Sequence, residues 1–142
     1  MKVITLSGVA IFAIWSLASG AAYLEWGLRG GLPLGNVLAA AGLASLAGIA
    51  VEFSRQRSVL RNASWVALGL ALAWLPVSIA LAGNLMLTFS GGRGTLWVGL
   101  TLGIAVVVLG CVAATVFSWI GARLRRAAVR RRFVQRGTRS AE

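Results

Sequence analysis

GTLWVGLTLGIAVVVLGCVAATVFSWIGA, residues 94–122, is 29 positions long, carries no charged side chain and stops at Arg123. A helix needs about 20 apolar residues to cross the ~30 Å hydrocarbon core of a bilayer. This stretch can therefore cross once, and it is too short to cross twice with a turn between. Three more uncharged stretches lie upstream: Val3–Leu24 between Lys2 and Glu25, Leu32–Val51 between Arg29 and Glu52, and Asn62–Gly92 between Arg61 and Arg93. Inside lipid only helices and closed barrels satisfy their own backbone. No run here alternates as barrel strands do. The expected fold is all-α and membrane-integral, a four-helix bundle over residues 1–122 with helices at about 3–24, 33–53, 64–89 and 95–122. An arginine-rich tail, 123–142, follows.

The rest of the composition agrees with a membrane setting. Of the 142 residues 58% are hydrophobic and 12% charged, where a soluble domain carries about 25% charged. There are 14 Lys+Arg, three glutamates (Glu25, Glu52 and Glu142), no aspartate, no histidine and one cysteine. Imidazole acid–base chemistry and His-built metal sites are excluded outright. A lone Cys111 can form no internal disulfide, and deep in an apolar segment it reads as a packing residue. Paired-carboxylate hydrolysis has almost nothing to work with. We expect no enzyme, no cofactor and no metal.

The basic residues give an orientation. With the N-terminus inside, Lys2, Arg55, Arg57, Arg61 and the eight arginines of the tail fall on the cytoplasmic side. Only Arg29 and Arg93 of the 14 fall on the other. Basic residues in short loops stay cytoplasmic, so N-in/C-in is expected. Met1–Lys2, the apolar run to Trp15 and the small residues Ala18–Ala22 also have the order of a cleavable signal peptide. Cleavage would leave three helices. Continuation of the apolar run to Tyr23 and Leu24 favours a retained helix. One lysine against 13 arginines, with abundant Ala, Gly and Leu, points to a GC-rich bacterial genome and thus to an inner membrane.

Within lipid, helices associate through small residues and scattered hydrogen bonds. Segment two offers Ala40, Ala44 and Gly48. Segment four offers Thr95, Gly99, Gly103, Gly110, Ala114 and Ser118, whose spacing we read as packing inside the protomer in preference to a dimer contact. Pro76 removes a backbone donor in segment three and is a candidate hinge. Ser78, Asn84 and Thr88 follow it, with Asn84 the strongest candidate for an interhelical hydrogen bond. Ser45, Ser78 and Asn84 are the candidate lining of any polar path. Trp26, Trp65, Trp97 and Trp119 sit near segment ends, as an interfacial aromatic belt requires. Trp15 and Trp74 lie deeper and read as core. Glu25 is expected to pair with Arg29 and Glu52 with Arg55, as interfacial anchors. Neither lies mid-helix, where a proton-coupled exporter needs its carboxylate.

The tail places Arg123, Arg125, Arg126, Arg130, Arg131 and Arg132 as contacts to anionic phospholipid, with Arg136 and Arg139 beyond. Each basic residue at an anionic leaflet is worth about 1 kcal/mol. Residues from Arg131 onward are expected to fray. No aromatic interleaving or folded basic module accompanies the charge, so nucleic acid is not an expected partner. Another membrane protein or a second copy is. The function most in keeping with these features is that of a small non-catalytic multi-pass subunit, assembly factor or protective partner of a larger membrane system. The alternative is a small oligomeric transporter or lipid-linked-substrate flippase with a polar path around Pro76, Ser78 and Asn84.

Overall fold

The computed structural model describes residues 2–28, 30–54 and 57–139, with side chains described as far as residue 126. It is all-helical: α1 (Lys2–Ser19), a short 3-10 turn (Ala22–Glu25), α2 (Leu34–Phe53), α3 (Ser58–Ala82) and α4 (Arg93–Arg139). All four α-helices are long and apolar enough to cross a membrane.

The helix ends differ from the expected ones for local reasons. α1 stops at Ser19, not Leu24, because Gly20 adopts a left-handed conformation at φ +59°, the usual helix terminator. Ser19 Oγ also donates to the Ser16 carbonyl at 2.7 Å, which satisfies one of the last free acceptors. The chain then folds back through a Gly27–Pro33 bridge, with Leu34 N–H donating to the Trp26 carbonyl at 3.0 Å. Pro33 caps α2 with extended backbone at φ −63°. α3 starts at Ser58, six residues before the expected 64, and takes Arg61 and Asn62 into its first turns. It ends at Ala82 because Gly83 turns left-handed at φ +71° and donates back to the Ile79 carbonyl at 2.8 Å. Asn84 and Thr88, expected inside this helix, therefore lie beyond it.

α4 runs unbroken for 47 residues through the arginine run, about 70 Å at 1.5 Å per residue. The tail is thus an extension of the last helix as far as Arg139, and the fraying expected from Arg131 is not seen over that range. Leu124, Ala127, Ala128 and the arginines are all strong helix formers.

α2 is the central helix: α1 packs on it, and α2, α3 and α4 pack against one another. The buried positions of α3 are Ser64, Ala67, Ala71, Trp74 and Ser78, alternating three and four residues apart. Those of α4 continue the pattern in Ile104, Val108 and Thr115, with Trp97, Thr101, Cys111 and Ser118 half-buried between and around them. That 3.5-residue period is the seam of left-handed helix packing. Ala47, Ala67 and Ala71 are buried at the centre with Trp74, Ile104 and Val108. Alanine there lets the backbones approach closely, which is what stabilises association where no hydrophobic force operates between helices. Cys111 packs against this cluster, as its apolar surroundings imply.

The α1–α2 contact uses still smaller residues. Ala10, Ala13 and Ser16 are buried on α1. A Cβ at Gly42 would sit 3.1 Å from Ala13 Cβ, and one at Gly48 3.3 Å from a Leu6 methyl. Segment four behaves otherwise: Cβ atoms at Gly99, Gly103 and Gly110 would meet nothing within 4 Å. Its glycines point away from the protomer's own helices, so the expectation of internal packing along that stripe is corrected. In α4 the packing falls on the seam from Trp97 to Ser118 instead.

Candidate functional site

Among the described residues, two polar clusters stand at opposite ends of the helices. The first joins α3 to α4. Trp97 Nε1 donates to Ser78 Oγ at 3.0 Å, and Trp74 Nε1 donates to Thr101 Oγ1 at 2.9 Å. Each helix thus contributes one indole and, four residues on, one hydroxyl, so the two bonds are reciprocal. Ser78 Oγ in turn donates a hydrogen bond to the Trp74 carbonyl at 2.7 Å. The Trp74 and Trp97 rings lie 6.4 Å apart, and Phe89 from the preceding loop stacks on Trp97 at 5.0 Å. Trp74 is 2% exposed, so its indole N–H needs such a partner.

This cluster joins the two helices. Ser78 donates to a carbonyl, the opposite of what a nucleophile requires, since activation needs a base to take the proton. α3 continues as one helix through Pro76, whose side chain faces outward. Thr115 Oγ1 and Ser64 Oγ likewise donate to carbonyls of their own helices, Val112 and Leu60, at 2.7 and 2.8 Å. Buried Ser16 Oγ is the one buried side-chain polar atom, among the described residues, without a hydrogen bond.

The three candidate path residues do not come together. Ser45 is buried eleven residues into α2, and Ser78 lies four residues before the end of α3. With the helices antiparallel, that puts the two roughly 10 Å apart along the axis at 1.5 Å per residue. Asn84 is outside the helices and its bonds are local. Nδ2 donates to the Ala82 and Thr88 carbonyls at 3.1 and 2.9 Å, and Oδ1 accepts from the Thr88 N–H at 3.0 Å. The expected interhelical bond from Asn84 is therefore corrected: Gly83 ends the helix first, and the amide staples the loop. That staple holds Leu87 at φ +55°, a conformation costing a branched L-residue about 1–2 kcal/mol. Asn84→Ala should free this loop. Amide exchange at Thr88 is expected to accelerate at least tenfold with little change in overall melting, whereas unchanged exchange would mean Asn84 does not hold the loop.

The second cluster is basic and lies where α2 ends and α3 begins. A cavity of about 380 Å³ is lined by Glu52, Phe53, Ser54, Arg57, Leu60, Ser118, Trp119, Ala122, Arg123 and Arg126. Two adjoining clefts share Arg57 and Ser118 and add Ser58, Val59 and Arg125. The Arg123 guanidinium stands 4.2 Å from the Trp119 ring centroid. Trp119 meets Phe53 edge-on at 6.1 Å, tying α4 to the end of α2. Arg123, Arg125 and Arg126 were legible in the sequence as basic residues of the tail. Arg57, Ser118 and Trp119 were not, because the signal joining them to the arginines is the fold itself. Arg130, Arg131 and Arg132 belong to α4, but their side chains lie outside the described residues, as do the expected partners Arg29 and Arg55.

Trp26 and Trp65 are exposed near helix ends, as a belt requires, but Trp15 is 66% exposed, not core. α1 buries only its small-residue stripe, and Trp15 lies off it. Among the described residues no three His, Cys, Asp or Glu side chains group as metal ligands. No family model, curated protein or solved structure matches the chain.

Proposed function

We propose that the chain is a small multi-pass protein of a bacterial inner membrane, N-in and C-in, that catalyses nothing and serves as a subunit or assembly partner of a larger membrane protein. The observation that carries this is the reciprocal pairing of Trp97 with Ser78 and Trp74 with Thr101. Trp74, Ser78, Trp97 and Thr101, four polar side chains of the α3–α4 seam, pair across the two helices. A transporter or flippase would need Ser45, Ser78 and Asn84 on one path, and their separate positions favour the subunit reading. The twelve-to-two distribution of basic residues supports the orientation.

α1 supplies the partner face in this proposal. It packs on α2 by one stripe and leaves Ile4, Ile11, Phe12, Ile14 and Trp15 exposed. The test is a photo-crosslinking residue in place of Phe12 in the full chain, irradiated in native membranes. One discrete adduct with a different membrane protein, absent when the same residue replaces Leu102 on α4, is expected. Adducts with lipid alone, or only with a second copy of the chain, would overturn the subunit reading.

A further inference from the structure

We propose that the cavity between Arg57 and Arg126 is a binding site for the phosphate of one anionic phospholipid. Among the described residues, three guanidinium groups from two separate parts of the chain border one space of about 380 Å³, with Glu52 the only carboxylate on its wall. Arg57 enters from the start of α3, and Arg123 and Arg126 from one turn of α4. Guanidinium groups bind phosphate oxygens in pairs of parallel hydrogen bonds. The Trp119 ring, 4.2 Å from the Arg123 guanidinium carbon, holds that cation at the cavity wall.

The start of α3 adds donors. Arg57 is its N-cap and makes no side-chain capping bond. The N–H groups of the first turn have no partner within their own helix, and a helix N-terminus favours an anion. Ser58, Val59 and Leu60 of that turn line the cleft that joins the cavity. Ser118 borders all three spaces.

The apolar part of the wall decides what kind of anion fits. Phe53, Leu60 and Trp119 stand in the same lining as the arginines. Just beyond lie the exposed apolar side chains of α4, among them Val116, Phe117 and Ile120. A free phosphate ion would use only the basic wall. A phospholipid uses both, its phosphate among the arginines and its acyl chains along α4.

The site rests on the reading of the helices as membrane spans, and the experiment keeps the two apart. A reporter fused to the C-terminus tests insertion and orientation without reference to any headgroup. Binding is read by native mass spectrometry of the full chain in mild detergent, titrated with dioleoyl phosphatidylglycerol, dioleoyl phosphatidylcholine or glycerol phosphate. One saturable phosphatidylglycerol is expected, bound at least about tenfold more tightly than phosphatidylcholine. R57Q/R123Q/R126Q should weaken it at least about tenfold, since each basic contact removed is worth about fivefold. K2Q/R61Q/R93Q removes the same charge at described residues that line none of the three spaces and should change it less than about twofold. R57K/R123K/R126K, which preserves charge and folding, should lie between. Equal losses in the two glutamine triples, or equal binding of the two lipids, would reduce the effect to diffuse charge and overturn the site. Competition by glycerol phosphate at micromolar concentration would support the cavity but assign it to a soluble phosphate ester.

Discussion

Trp74→Ala is expected to cost about 3–5 kcal/mol of helix-association stability, the usual range for removing a buried indole. The loss has three parts. A cavity opens at the centre of the α2–α3–α4 cluster, where Ala47, Ala67 and Ala71 are too small to fill it. The Thr101 hydroxyl loses the indole that donates to it at 2.9 Å. Trp97 loses the ring 6.4 Å away that helps to seat it. Graded variants separate these parts. Trp74→Phe keeps one aromatic ring but loses the pyrrole portion with its N–H, so it leaves a smaller void than alanine; interhelical hydrogen bonds of this kind average about 0.6 kcal/mol with a maximum near 1.7. A double-mutant cycle of Trp74→Phe with Thr101→Val isolates the pair, because neither change alone should add a new contact. Stability in bicelles, followed by circular dichroism against increasing SDS, provides the measurement. A loss below about 1 kcal/mol for Trp74→Ala would show that the aromatic cluster is not what joins α3 to α4, against the range for buried aromatics.

Gly42→Leu should have the second largest effect, by separating α1 from the other helices. Even a Cβ at position 42 stands only 3.1 Å from Ala13 Cβ, and a leucine adds three more carbons. Overpacking of a tight contact costs about 1–3 kcal/mol or more. α1 has no alternative seat, since α2 is the helix it packs on. Gly69→Leu makes the same chemical change on α3 at a site with nothing within 4 Å and should be close to neutral. Spin labels at Lys2→Cys and Val59→Cys in a Cys111→Ala background would report the outcome. A single narrow distance is expected for the parent and for Gly69→Leu, and a broad distribution for Gly42→Leu. A narrow distribution in all three would mean that α1 is held by something other than its small-residue stripe.

The contrast between Gly42 and Gly69 also measures how far the sequence could be read. Both sit among Ala and Leu in uncharged stretches, and nothing in their neighbourhoods distinguishes them. In a soluble helix the polar residues would mark the outer face. These helices are apolar on all sides, so the pattern that normally betrays a buried face is missing. That is why the segment-four glycines read as packing residues when they face outward, and why Ala67 and Ala71 drew no notice. Asn84 was misplaced for a different reason: an uncharged stretch of 31 residues contains both a helix and the loop after it. Only the left-handed turn at Gly83 divides them. The basic cavity was half legible. Its arginines stand out in any count, but the approach of Arg57 to Arg123 depends on α3 and α4 lying antiparallel with their basic ends level.

What the sequence determined by itself was the set of helices. An uncharged stretch of about 20 or more apolar residues is long enough for a spanning helix, whose backbone groups pair within it, and that reading needs no knowledge of neighbours. The absence of His and Asp limited the chemistry in the same direct way. Tertiary structure alone decided which face of each helix is inside, which hydroxyl meets which indole, and which arginines share a cavity. Those outcomes turn on contacts of 3–4 Å between residues such as Trp74 and Thr101, 27 positions apart. Close packing rewards shape between partners, and shape between partners is not written in the polarity of either helix.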